Sequence, residues 1–203
     1  MGCDIHGYIE CRVWWRQNTW RAAMDFDLIE GGRHYDAFGL LFGVRNYAGF
    51  RPVAANRGMP EDASEPARAE FEGWGVDAHS ATWIGWDEIA QLDWSEPADE
   101  PDSRIHEFKR GPGGEWEPVG KAAWSARFAE VLGKSDRPAL DYGESWPEGT
   151  EWIDGDTMFR VVRLTRREVI PEGGSWQPTW DVMAALAAVH GAANVRLVVW
   201  FDN

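Results

Sequence analysis

From Cys3 to Trp15 the chain alternates. Ile5, Ile9, Cys11 and Val13 fall on one side and Asp4, His6, Tyr8, Glu10 and Arg12 on the other. That is the period of a strand with one face against a core. The opposite, polar face is either the outer side of an edge strand or one wall of a site. Asp4 and His6 project the same way with Cβ atoms ~7 Å apart, close enough to share a metal ion or a hydrogen-bond network. Glu10 lies ~13 Å beyond His6 at ~3.3 Å per residue, too far to reach the same ion.

The strand runs into Gln17-Asn18-Thr19, a hairpin turn, and returns through Trp20 to Met24. Gly31-Gly32 breaks the chain before a helix over 35–44, whose Tyr35, Phe38, Leu41 and Phe42 form an apolar stripe. Residues 45–60 read as a long loop, a length often tied to function. Pro66 to Phe71 is a short helix with Ser64 as its N-cap. An extended segment at 82–84 and a short helix over 86–92 follow.

Between 95 and 156 the texture changes to Pro, Glu, Asp and Gly, with one clear helix over 122–132. This stretch is expected to be an irregular acidic insertion or peripheral subdomain within a single domain spanning 1–203. Regular structure resumes with a strand over 159–164, a helix from Pro178 to His190 and a nearly continuous apolar strand from Val195 to Phe201. The predicted class is α+β, with helices packed on a single mixed or antiparallel sheet.

At 203 residues and 44% apolar, the chain is long enough for a real core. Its 34 acids against 20 bases give −14. That balance argues against direct nucleic-acid binding, which needs a basic footprint, and against anionic membranes. It also permits mimicry of nucleic acid toward a protein partner. Fourteen tryptophans exceed what a core can bury with a partner for every indole N–H. Core packing absorbs most of them, and exposed ones suit stacking on a sugar or a base.

The two cysteines, Cys3 and Cys11, lie ~27 Å apart on one extended strand, so reduced thiols and a cytoplasmic setting are expected. No apolar run approaches the ~20 residues of a membrane span, and the opening lacks the regions of a signal peptide. His6 stands where a myristoylation start needs Ser or Thr.

Three of the five histidines sit two residues from an aspartate: Asp4-x-His6, His34-x-Asp36 and Asp77-x-His79. Imidazole and carboxylate are ligands for zinc, manganese or iron, and three of them plus water make a catalytic centre. Surface or hydrogen-bonded histidines are the plainer alternative. His106 is expected at the surface and His190 as the dipole partner of a helix C-terminus. Arg33 to Pro60 holds four arginines against one aspartate, a local +3 that leaves −17 for the rest. Guanidinium matches phosphate, so this loop is a candidate anion seat; pairing with neighbouring acids is the competing account. No nucleophile elbow, phosphate loop or dinucleotide fingerprint occurs. Cys3 lies on the Ile5 face, away from His6, and reads as structural.

The opening Met1-Gly2-Cys3-Asp4-Ile5-His6 resembles a set of small hypothetical proteins from bacteriophages and bacteria. Tyr35-Asp36-Ala37-Phe38, Gly43-Val44-Arg45-Asn46, Arg57 to Asp62, Asp77 to Ser80 and Val199 to Asn203 fit the same pattern, whereas 95–156 does not. The resemblance implies a phage or bacterial cytosol and no reaction. It groups Asp4, His6, Arg45, Arg57, Asp62, Asp77 and His79 as a set.

The resulting expectation is a metal-assisted hydrolase of a small phosphorylated, nucleotide-like molecule. Asp4, His6, His79 and His34 would hold a divalent ion, and Asp36 and Asp77 would complete or orient its shell. Arg45, Arg51, Arg57 and Asn46 would bind the anionic substrate. The alternative is a non-catalytic phage anti-defence protein that sequesters a nucleotide signal or acts as an acidic decoy for a host protein. A third possibility is a structural module whose Asp–His pairs knit loops to the sheet.

Overall fold

The structure, a computed structural model, describes residues 2–13, 15–16, 18–29, 32–133 and 146–203. Trp14, Gln17 and Gly31, and 134–145 of the expected insertion, lie outside the described residues. In chain order the strands and helices are β1 (Ile5–Val13), β2 (Thr19–Asp25), α1 (Tyr35–Phe42), α2 (Glu65–Trp74), β3 (His79–Gly85) and α3 (Trp86–Ile89). Then come β4 (Ile105–Arg110), β5 (Trp116–Ala122), α4 (Ala126–Val131), β6 (Glu151–Asp154), β7 (Thr157–Arg160), α5 (Arg166–Val169), α6 (Gln177–His190) and β8 (Val195–Phe201).

The class is α+β, but the strands divide into two antiparallel sheets rather than one. Their orders are β2-β1-β8-β3 and β5-β4-β7-β6. The second sheet draws three of its strands from 95–156, where irregular chain was expected. The reason is legible in β5: Trp116–Ala122 is an edge strand, exposed along most of its length and carrying Pro118 and Gly120. An edge strand needs no continuous apolar run and tolerates proline, so it reads like a loop.

In the first sheet β1 lies between β2 and β8, with Ile5 opposite Phe201, Ile9 opposite Leu197 and Cys11 opposite Val195. These residues form one face, packed with Phe38, Leu41 and Phe42 of α1 and with Trp176, Trp180 and Met183. Both cysteines are buried and free, as their alternation requires. On the other face His6, Tyr8 and Glu10 lie opposite Trp200, Val198 and Arg196. This second face is covered by α2. Trp74 meets His6 with ring centres 4.4 Å apart, Phe71 packs edge-on against Trp200, and Tyr8 donates to Glu70 Oε2 at 2.5 Å. The polar side of β1 is therefore a half-covered polar interface, buried only at Glu10, and not a bare outer surface.

A separate apolar cluster of Ile105, Phe128, Phe159 and Val161, with Trp146 and Trp152 against it, supports the second sheet. Among the described residues no helix is long and apolar enough to cross a membrane.

Candidate functional site

The expected metal ligands do not converge. His6 pairs with Trp200 and stacks beside it, whereas His79 pairs with Phe201 and stacks beside that ring. Trp200 and Phe201 are consecutive in β8 and point to opposite faces of the sheet. The two imidazoles are thus on opposite sides of the sheet in this register, and they do not meet at one ion. Nδ1 of His6 lies 3.1 Å from Asp27 Oδ2, and Nδ1 of His79 lies 3.0 Å from Ser80 Oγ. Asp4 is held by Arg33 through two bonds of 2.6 and 2.8 Å, which lower its pKa. His34 is an exposed residue at the start of α1, and Asp77 is exposed in a 3-10 turn. Among the described residues no group of three or more His, Cys, Asp or Glu side chains is placed to hold a metal ion.

Asp36, expected beside that centre, accepts from Arg104 and Lys121 and ties α1 to the β4–β5 hairpin. Arg104 continues the network to Asp102, which is fully buried and also lies 3.0 Å from Nε2 of His106. His106 is accordingly a buried link rather than a surface side chain. Burial works to raise the Asp102 pKa, but the hydrogen bonds from His106 and Arg104 outweigh it and hold the carboxyl at about 2. His190 does sit in the last turn of α6.

The expected anion seat is also dispersed. Asn46 is consumed by Phe50, donating to its carbonyl at 2.6 Å and accepting from its N–H at 3.2 Å. Arg51 points outward near Glu96, and Arg45 reaches Asn203 Oδ1 at 3.2 Å. Arg57 binds both oxygens of Glu88, at 2.6 and 2.7 Å, and two backbone carbonyls besides. Pairing with nearby acids, the competing account, describes Arg33, Arg51 and Arg57.

What the fold does build is a cleft of about 900 Å³ at the other end of the α2-covered face. Its wall is a ladder of alternating guanidinium and indole groups. Arg12 lies 5.1 Å and Arg196 3.9 Å from the ring centre of Trp20, while Arg196 and Arg57 lie 5.8 and 4.8 Å from that of Trp83. The ladder crosses all four strands, because Trp20 lies opposite Arg12 and Arg196 lies between Glu10 and Gly85. Cation–π contacts of this kind fix both partners, and rings so clamped give the cleft a rigid side. A Cβ at Gly85 would come within 2.4 Å of Asp87 Oδ1 and push aside the carboxylate that accepts from Glu88 N–H at the start of α3.

Arg196 is the pivot. Its Nε donates to Glu10 Oε2 at 2.8 Å and its Nη1 to Asp62 Oδ1 at 2.9 Å, with Glu10 fully buried and Arg196 nearly so. The other Glu10 oxygen accepts from Ser64 N–H at 2.7 Å, which ties the start of α2 to the sheet. Ser64 is the N-cap, although its side chain makes no capping bond. Burial acts to raise the Asp62 pKa, yet the bonds from Arg196 and the Trp20 indole bring it down. Glu88 is lowered by Arg57 against the effect of burial, with help from Gly85 N–H. Arg196 Nη2 has no hydrogen-bond partner among the described residues.

Of the residues grouped by sequence, Arg57 and Asp62 meet in this cleft; Glu10, Trp20, Trp83 and Arg196 were missed. One signal was present: a single arginine inside the otherwise apolar Val195–Phe201 run, which a fully buried strand keeps only with a paired acid. Glu10 is too far along β1 to share an ion with His6, and its partner, Arg196, is on another strand.

Set against known proteins, the chain matches no family model, no curated protein and no solved structure.

Proposed function

We propose that this chain is a non-catalytic binding protein that engages a basic protein partner, in the manner of an acidic decoy in a phage-infected or bacterial cell. One observation carries the reading: its arginines are largely spent on its own carboxylates, and the acids are left in excess. Arg33, Arg57, Arg104 and Arg196 are held by Asp4, Glu88, Asp36 with Asp102, and Glu10 with Asp62. In a chain of −14 the unspent charge is therefore carboxylate, which attracts cations and repels phosphate. The placement of His6 and His79 on opposite faces of the sheet supports this reading over a hydrolase that uses both as ligands of one ion.

The test is a paired one. The purified protein is incubated with nucleotides and phosphorylated metabolites in the presence of zinc, manganese or iron, and the recovered molecules are analysed by mass spectrometry. Binding of basic and acidic proteins of similar size is measured in parallel at low and high salt. The reading expects every small molecule returned intact and salt-sensitive binding of the basic proteins alone. Turnover that disappears in His6→Ala would restore the hydrolase in its place.

A further inference from the structure

The second sheet carries one carboxylate that the rest of the molecule does not answer. A single row crosses all four strands: Gly120 on β5 lies opposite Glu107 on β4, Glu107 opposite Phe159 on β7, and Phe159 opposite Trp152 on β6. Directly opposed residues share a face, so this row projects toward α4 and the cluster around Phe128. The neighbouring row, Lys121, His106 and Arg160, projects to the other face. There Lys121 is held by Asp36 and Arg160 by Glu151. On α4 itself, Arg127 is taken by Asp154 and Asp156 at 3.4 and 3.8 Å. Glu107 is left half-buried, with no ion pair or side-chain hydrogen bond among the described residues.

Glu107 also lines a pocket of about 220 Å³. Buried Ile105, Phe128 and Phe159 form its base, and β5 forms its side, where Gly120 and Ala122 leave space that larger side chains would fill. A Cβ at Gly120 would meet nothing within 4 Å. Size limits what can enter. Cavities that enclose a whole cofactor or drug-sized ligand run from about 300 to 1,000 Å³, so this one suits a single short chain. Charge decides the rest. An apolar base beside an uncompensated carboxylate matches an aliphatic stem that ends in a cation. An anion would be repelled, and a neutral apolar molecule would take water from Glu107 without replacing it.

We infer that this pocket binds an alkylammonium or alkylguanidinium group, with its stem on Ile105, Phe128 and Phe159 and its head on the Glu107 carboxylate. Small amines carry such a group, and so do lysine and arginine side chains. The inference goes beyond the proposed function, because it holds for either source of the cation.

The probe is n-butylguanidinium, titrated into the whole protein while the indole N–H resonances of Trp152 and Trp20 are followed. We expect saturable movement of Trp152 and none of Trp20. n-Butanol has the stem without the charge and guanidinium the charge without the stem, and each should bind at least about fivefold more weakly. Glu107→Gln should weaken n-butylguanidinium by at least about fivefold. Gly120→Leu, which fills the pocket and keeps the carboxylate, should abolish saturation. Glu115→Gln, at an exposed acid between β4 and β5, should change affinity less than about twofold. Circular dichroism verifies that the variants fold.

Absence of saturation in the wild-type protein would overturn the inference, and so would unchanged affinity in Glu107→Gln. Equal weakening by Glu115→Gln, or tighter binding of n-butyrate, would overturn it as well. A Gly-Arg-Gly tripeptide with blocked ends separates the two sources. Binding as tight as that of n-butylguanidinium supports the site as one for a protein side chain, and exclusion of the tripeptide supports it as one for a free amine.

Discussion

Glu10 and Arg196 face each other across the β1–β8 ladder, with Nε 2.8 Å from Oε2 and both side chains out of solvent. Neither is stable there alone. Removing one member of a buried pair typically costs ~3–5 kcal/mol, whereas replacing both with apolar groups of similar volume is often neutral. Glu10→Ala should lower unfolding free energy by about that amount in urea titrations. The double replacement Glu10→Leu/Arg196→Met should recover most of the loss while taking the Arg196 guanidinium out of the cleft wall. A double variant no more stable than Glu10→Ala would mean that the pair contributes through its geometry and not through mutual neutralisation.

Asp102 makes stability depend on acid. Its folded-state pKa, about 2, lies below the ordinary carboxyl value of 3.8. A lowered value means that the folded form binds its proton less readily than the unfolded chain. The contribution is therefore whole above pH 3.8 and disappears as pH falls from there through about 2. It amounts to roughly 2 kcal/mol. Asp102→Asn should be clearly less stable than wild type at pH 6, and the difference should close toward pH 2 in denaturant titrations.

Gly7 allows the two central strands to approach. A Cβ at this position would stand 2.1 Å from the carbonyl oxygen of Val198. Since that neighbour is backbone, relief requires the strands to move apart. Gly7→Ala should cost at least about 2 kcal/mol by thermal or chemical denaturation, near the upper end for overpacking. Gly73→Ala serves as the comparison, because a Cβ there meets nothing within 4 Å. Being helical, that site should be neutral or slightly stabilised.

Metal should not distinguish the histidine variants. With His6 beside Trp200 and His79 beside Phe201, the two rings cannot share an ion. Zinc or EDTA should shift the melting temperature of His6→Ala/His79→Ala and of the wild-type protein by the same amount. A zinc-induced rise in the wild-type protein alone would reinstate a joint site.

The first sheet could be read closely from the sequence, because its strands carry strong period-two or apolar signals. β1 was expected with its two faces correctly assigned, and β8 with its ends at Val195 and Phe201. The second sheet could not, since β5 is exposed and includes Pro118, so pattern gives way there to pairing with β4. Site residues were harder still. Proximity in sequence suggested Asp4 with His6, but the geometry joins Glu10 to Arg196 and Asp36 to Lys121, contacts that depend on strand order. A histidine two residues from an aspartate says which groups are neighbours along the chain and nothing about which meet across a sheet.

The central ladder of the first sheet joins β1 to β8, and Asp4 N–H reaches Asp202 Oδ1 across 198 residues of chain. On a ribosome, β1 therefore emerges long before its principal partner exists. Until β8 has been made, Ile5, Ile9 and Cys11 have no partner strand on that side, and the nascent chain presents a sticky, unfinished edge. Folding of this half of the molecule therefore waits until β8 has been made. Slowing synthesis upstream would prolong exposure to chaperones and proteases without speeding maturation.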